Sequence, residues 1–157
     1  MIPHWAKDPS LAKKTYNARS ETVATKPSYR DAWRLGRRCI IPAEAFYEPD
    51  WRTGRAVPTR IARADGRPMG IAGIWTGWRA PDGTIVRSMS MLTVNADQHP
   101  LMKNLHRPED EKRMVVILDE DDFDAWLDPG LRAPELMLRC LGAADLSVSS
   151  EPMGPAS

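Results

Sequence analysis

Residues 58–94, PTRIARADGRPMGIAGIWTGWRAPDGTIVRSMSMLTV, carry the reading on which the fold turns. Two apolar runs, 59–63 and 69–75, flank the turn signal Ala64-Asp65-Gly66-Arg67, which predicts two strands joined as a hairpin. A second turn, Ala80-Pro81-Asp82-Gly83, separates the strand ending near Trp75 from the long run 84–94. There Ile85, Met89 and Met91 alternate imperfectly with polar neighbours. The expected sheet is a meander of antiparallel strands. Fourteen prolines, with Gly and Asp between them, favour short strands and tight turns over a helical bundle.

Outward from this centre, PSYRDAWRLGRR (27–38) predicts a short helix. Ser28 would cap it, Tyr29, Ala32, Trp33 and Leu35 would share a side, and Gly36 would end it. RCIIPAEAFYE (38–48) follows as a strand, and RMVVIL (113–118) is a buried strand. DEDDFDAWLDPG (119–130) is a second helix with acids in its first turn and a Pro-Gly stop, and ELMLRCL (135–141) a third. Strands with a few short helices inserted define an α+β class. One domain is expected over residues 1–145, with a frayed, flexible tail over 146–157.

At 157 residues the chain is long enough to bury a real core, and 42% hydrophobic with 27% charged residues is a globular composition. No apolar window reaches the roughly 18 residues of a membrane span, and no apolar segment follows a basic start, so a cytoplasmic protein with no membrane partner is expected. Cys39 and Cys140 stand far apart, and His4, His99 and His106 are scattered. Neither a disulfide nor a zinc site is expected, and no metal or cofactor. The net charge of +1 hides a gradient: residues 1–60 hold twelve Lys or Arg against six Asp or Glu, residues 119–157 two against nine. A basic half can gather phosphates, and it also fits a plain solvated surface.

Four stretches combine polar groups with stiff apolar surroundings. In TYNARSET (15–22), Asn17, Arg19 and Glu21 alternate, so an extended segment presents all three on one face, suited to a phosphate or carboxylate or else simply to water at a sheet edge. In AFYEP (45–49), Glu48 follows Phe46 and Tyr47; apolar neighbours that desolvate it would raise its pKa and make a general acid, whereas a strand-end carboxylate beside Pro49 would be exposed. In NLHRPEDEKRMVVIL (104–118), His106 lies in a charged loop ahead of a buried strand that starts at Arg113. That is a place for a proton shuttle, or for an ordinary loop histidine. LTVNADQHP (92–100) ends its strand in Thr93, Asn95 and Asp97, which could cap a turn or line a site. A Gly-rich phosphate loop, a Gly-x-Ser-x-Gly elbow and an HExxH helix are absent from the sequence, so the common nucleotide-binding and hydrolase templates find no support.

In order, IPHWAKDPS (2–10), NARSETV (17–23), CIIPAEAFYEP (39–49), LTVNAD (92–97) and HRPEDEKRMVVIL (106–118) resemble the SRAP family, the SOS response-associated peptidases, over residues 1 to about 128. The resemblance implies a compact α+β fold with a mainly antiparallel, partly open barrel-like sheet whose groove binds single-stranded DNA containing abasic sites. It implies covalent capture by an N-terminal cysteine exposed when the initiator methionine is removed. The α-amine condenses with the ring-opened sugar aldehyde and the thiol closes a thiazolidine, a DNA-damage function with lyase-like Schiff-base chemistry. Proposed trimming of the N-terminus accounts for the words peptidase and hydrolase. Asn17 matches the asparagine that orients the nucleophile, Glu48 the glutamate that assists ring opening, and His106 the histidine that contacts the deoxyribose oxygen and shuttles protons. Arg19 matches an arginine gripping the DNA backbone, Thr93 and Arg113 match phosphate-contacting positions, and Trp5 an aromatic on which a base stacks. The loop between His106 and Arg113 is longer than the family's shortest version.

In the family the stretch that here begins at Ile2 follows a segment starting Met-Cys-Gly-Arg. Met1 therefore stands where an interior residue is expected, and Ile2 is too large for ordinary methionine removal. A crosslink by the family's own route is not expected from the chain as written, and a non-covalent single-stranded DNA binding module or an inactive fragment is the alternative. A monomer associated with the nucleoid when bound to DNA is expected, with self-association open to it through an exposed sheet edge.

Overall fold

The computed structural model describes residues 1–150. In chain order it contains strand β1 (Asn17–Arg19), helix α1 (Arg30–Arg34), and strands β2 (Arg38–Ala43), β3 (Phe46–Asp50), β4 (Val57–Arg63), β5 (Met69–Arg79) and β6 (Ile85–Asn95). Then come β7 (Arg113–Val115), β8 (Ile117–Leu118), helix α2 (Phe123–Leu127) and β9 (Leu146–Ser150), with short 3₁₀ turns between elements. One sheet runs β1-β6-β5-β2, with β7 on β6 and β8 on β5; a second runs β3-β4-β9. The class is the expected α+β, mainly antiparallel with few short helices, and the larger sheet curls as a half-barrel. It departs from a pure meander because β1 pairs with β6 in parallel, Asn17 opposite Met91 and Arg19 opposite Thr93. Among the described residues, no helix is long and apolar enough to cross a membrane.

The chain forms two compact units, the first comprising Met1–Ile41, Gly70–Val94 and Val115–Arg139. Its centre is the β5–β6 hairpin, paired antiparallel from Gly73 opposite Met91 to Arg79 opposite Ile85. The turn closes as the sequence predicts: Gly83 takes φ +88°, which only glycine adopts freely, and the Asp82 carboxylate accepts the Thr84 N–H at 2.9 Å. The first six residues of β5 are all buried, which explains why the run 69–74 is apolar without alternation. Gly73 is needed there, because a Cβ would lie 2.9 Å from both Cys39 Sγ and Ile41 Cδ1 and 3.1 Å from the Ser90 carbonyl oxygen. Trp126 of α2 is fully buried; its indole N–H donates to the Cys39 carbonyl at 2.9 Å. Buried Arg38 donates through Nε to the Trp126 carbonyl at 2.7 Å and lays its guanidinium over the indole at 5.6 Å. A buried cation is thereby satisfied by backbone carbonyls and a ring face.

The second unit comprises Pro42–Met69, Asn95–Met114 and, among described residues, 140–150. In its sheet Glu48 pairs with Thr59 and Asp50 with Val57, and β9 runs antiparallel along the other edge of β4. Buried His99 accepts the N–H groups of Leu101 and Met102 at Nδ1, which leaves the proton on Nε2 to donate to the Leu141 carbonyl at 2.9 Å.

Several expectations are corrected. The strands at 59–63 and 69–75 do not form a hairpin, although the turn between them is tight, with Gly66 at φ +74° and Asp65 bonded to Arg63 and the Arg67 N–H. Both edges of β4 are taken by β3 and β9, and Pro68 has no N–H to give a ladder. Residues 38–48 are two strands that join different sheets. The run 113–118 breaks at Val116, whose N–H donates to Leu92 while its carbonyl accepts from Ala72. Helix α1 starts after Tyr29, which makes no side-chain cap, rather than after Ser28. In 135–141 only a 3₁₀ turn forms, Pro134–Met137. Residues 146–150 are strand β9, where Leu146 is buried against β4; the rest of the expected tail, 151–157, lies outside the described residues. Replacing Gly73 with Ala should overpack the first unit and cost about 1–3 kcal/mol in denaturant unfolding, with an unchanged m-value.

Candidate functional site

Strand β3 carries Glu48 at its middle, opposite the buried Thr59. His106 reaches the same strand from the loop side. Leu105 bridges to Asp50, and the next N–H, that of His106, donates to the Pro49 carbonyl at 2.7 Å. To do so His106 takes φ +60°, a left-handed conformation that costs a non-glycine residue on the order of 1 kcal/mol. The ring then sets Nε2 3.3 Å from Glu48 Oε2, with the two side chains 19% and 22% exposed. The contact lacks hydrogen-bond alignment.

At this distance the two groups would form an ion pair in water, yet burial drives both toward neutrality. It pushes the Glu48 carboxyl from 4.5 up to about 7. His106 is moved below its usual 6.5, first by burial and further by the charge of Lys112; a hydrogen bond to the Arg113 backbone and the charge of Asp110 oppose the shift without reversing it. At pH 7 the carboxyl therefore keeps its proton in about half of the molecules, beside an imidazole that burial holds toward its uncharged form. Glu48 lines a cavity of about 290 Å³ with Tyr47, Pro49, Ala56 and Pro58. His106 lines another of about 190 Å³ with Trp51, Arg52, Lys103, Asn104 and Pro108.

The loop from 106 to 113 is tightly held. Lys112, 6% exposed, directs its ammonium at the carbonyl oxygens of Arg107, Pro108 (3.3 Å) and Asp110 (2.7 Å). Its own N–H donates to the Asp97 carboxylate at 2.7 Å. Arg113 pairs with Glu111 at 2.8 Å, and Asn95 donates to Asp97 at 2.9 Å and to Glu111 at 3.2 Å. Thus Asn95 and Asp97, left open between capping and lining a site, brace the loop that carries His106.

The remaining candidates lie in the first unit, apart from Arg113. Asn17 and Arg19 point outward on β1 with Ala18 buried between them, the predicted alternation, while Glu21 falls in the turn beyond the strand. The Asn17 carbonyl accepts the Tyr29 hydroxyl at 2.8 Å. Thr93, opposite Arg19, is buried, and its carbonyl accepts the Ser20 N–H at 2.9 Å. Trp5 is half exposed, its indole N–H anchored to the Pro27 carbonyl at 3.1 Å, which leaves a ring face open to solvent. Cys39 and Cys140 are both free, and burial raises both thiols, Cys39 to about 11, so neither is poised as a thiolate. Among the described residues no group of three or more His, Cys, Asp or Glu is arranged to hold a metal. The residue that sequence reasoning missed is Lys112. A lysine in a Glu-Asp-Glu-Lys-Arg run reads as solvated, and nothing local marks it for burial.

The α+β fold with its mixed, mainly antiparallel sheet matches one known class. The sequence model of the SOS response associated peptidases (SRAP) covers residues 1–151, and the chain belongs to this family. Among relatives, the abasic site processing protein YoqW of Bacillus subtilis (strain 168) is 33% identical over 148 residues, 92% of this chain and 62% of that protein. The abasic site processing protein HMCES of Mus musculus is 28% identical over 185 residues, 99% of this chain and 50% of that protein. The chain thus spans between half and two-thirds of the length of these relatives. A Bordetella bronchiseptica crystal structure superposes with a TM-score of 0.90 at 43% identity, covering 98% of this chain and 74% of that one.

The shifted carboxyl has a consequence for stability. Glu48 holds its proton up to about pH 7 in the folded chain but releases it near 4.5 when unfolded, so its contribution is fully present below 4.5 and is lost as pH rises to 7. His106 has the opposite sign, since a folded pKa below 6.5 removes stability as pH falls. The stability of Glu48→Gln relative to the parent chain should therefore increase between pH 4.5 and 7, as measured by urea unfolding at each pH; a flat difference would contradict the burial of the carboxyl.

Proposed function

We propose that this chain engages abasic sites in single-stranded DNA and that Glu48 and His106 are the acid–base pair that opens the deoxyribose ring. The observation that carries this reading is a carboxyl held near pKa 7 against an uncharged imidazole 3.3 Å away, at the edge of a cavity. Ring opening of a cyclic hemiacetal needs this combination. The C1′–O4′ bond breaks, O4′ takes the Glu48 proton, and His106 takes the proton of the 1′-hydroxyl as C1′ becomes an aldehyde. A proton then passes from His106 to Glu48 and resets the pair. The names of the relatives, abasic site processing proteins, agree with this substrate.

The open aldehyde is the electrophile that an α-amine captures as a Schiff base and a neighbouring thiol seals as a thiazolidine. Asn17, on the outward face of β1, is the group we assign to orienting that nucleophile. DNA would be held by phosphate contacts from Arg19 and Arg113, with Thr93 beside Arg19 on the neighbouring strand and a base stacked on the open face of Trp5. The stack is worth roughly 1–3 kcal/mol.

Free cysteine supplied in solution tests the acid–base step directly, because its amine and thiol together trap each aldehyde with loss of water. The chain should accelerate thiazolidine formation on an abasic oligonucleotide, followed by mass spectrometry, and Glu48→Gln should cut the acceleration about 10²-fold or more. Equal trapping with and without the protein would overturn the assignment. Binding to unmodified single-stranded oligonucleotides, read by fluorescence anisotropy, should weaken linearly in log salt, and Arg19→Ala should lower the slope by about one. Affinity independent of salt would rule out phosphate recognition.

A further inference from the structure

We propose that Lys112 is the positioning residue of the Glu48–His106 pair, its buried ammonium serving as the internal cation around which the 107–111 loop is wound. A lysine only 6% exposed must satisfy three N–H bonds, and here it does so on the carbonyl oxygens of Arg107, Pro108 and Asp110. Those carbonyls follow His106 directly, and the Asp110 N–H closes the turn onto Arg107 at 3.0 Å. Among the described residues the hydrogen-bond partners of the ammonium are backbone carbonyls, so the bond pattern specifies loop shape rather than charge balance. The anchor is fixed from behind, since the Lys112 N–H donates to Asp97 and its carbonyl accepts the Ala96 N–H at 2.8 Å.

This loop shape is what His106 requires. The residue sits at φ +60°, its N–H tied to Pro49 and its ring bonded to the backbone of Arg113, so the chain between 106 and 113 must return over a fixed span. With the ammonium in place, Arg107 lies over the Trp51 ring at 4.8 Å and Pro108 walls the cavity that His106 lines. The charged groups facing His106 are Glu48 from β3, Asp110 and Lys112 from the loop, and Arg52 and Lys103 across that cavity. Without the ammonium the carbonyls turn to water, the loop opens, and the ring gains solvent and loses its register on Glu48. The catalytic part of this inference rests on reading the pair as an acid–base centre; the conformational part does not.

The test separates the two. In Lys112→Met, which keeps the apolar stem, the His106 titration followed by NMR should move up toward 6.5, and the amides of the 107–111 loop should exchange with solvent at least about tenfold faster. Glu109→Ala, an exposed side chain on the same loop, should leave both unchanged. In the parent chain the Lys112 ammonium protons should give a slowly exchanging NMR signal, a measurement that stands if Lys112→Met does not fold. An unmoved His106 titration in Lys112→Met, or a fast-exchanging ammonium in the parent, would overturn the proposal. A moved titration with unchanged trapping of the abasic aldehyde would keep Lys112 as the loop's anchor and refute instead the acid–base reading.

Discussion

Desolvation of the Glu48 carboxyl beside the His106 ring is the constraint on which the second unit is built. A carboxylate and an imidazolium at 3.3 Å would attract, but both are taken out of water, and burial pushes the carboxyl up and the imidazole down, each toward its neutral form. That balance holds only while the ring is kept in place by forces other than charge. The Pro49 carbonyl, the Arg113 backbone and the left-handed backbone of His106 provide them, and the loop that follows is braced by Lys112, Asp97, Asn95 and Glu111. Backbone hydrogen bonds hold the acid and the base together.

The first unit is held together by different means. Its core is a strand buried on both faces and seamed by Gly73, with Trp126 and Arg38 locked together over β2. This rigid interior lets a three-residue strand, β1, dock in parallel beside β6 and hold Asn17 and Arg19 outward on a fixed pleat. A short parallel strand has little stability of its own. Its position comes from Ala18 in the core and from the Tyr29 hydroxyl on the Asn17 carbonyl. The first unit thus presents exposed polar side chains on a rigid pleat, and the second sets a desolvated carboxyl against an imidazole.

The local signals legible in the residues were those that depend on near neighbours. The Pro81-Asp82-Gly83 turn, the alternation around Ala18, the Pro-Gly stop after α2 and the apolar run of β5 follow from dihedral preference and side-chain period. Each appears where those rules put it. The five ordered motifs of the SRAP family were equally legible and named Glu48 and His106 together. What failed were inferences about partners. A tight turn at Asp65-Gly66 did not make a hairpin, because whether two strands pair depends on which edges are already filled. The run 113–118 read as one strand and is two, because Val116 bonds to residues of both β6 and β5.

Sequence by itself determined the class of fold, the family and the turns, since these rest on residue type, ordered motifs and short-range spacing. Tertiary structure alone decided that Glu48 is desolvated, that His106 faces it in a left-handed conformation, and that a lysine in a highly charged run is buried to hold a loop. Burial and pKa depend on what the rest of the chain brings within a few ångströms. For Glu48 and Lys112 the groups that matter are separated in sequence or belong to the backbone, where no residue pattern records them.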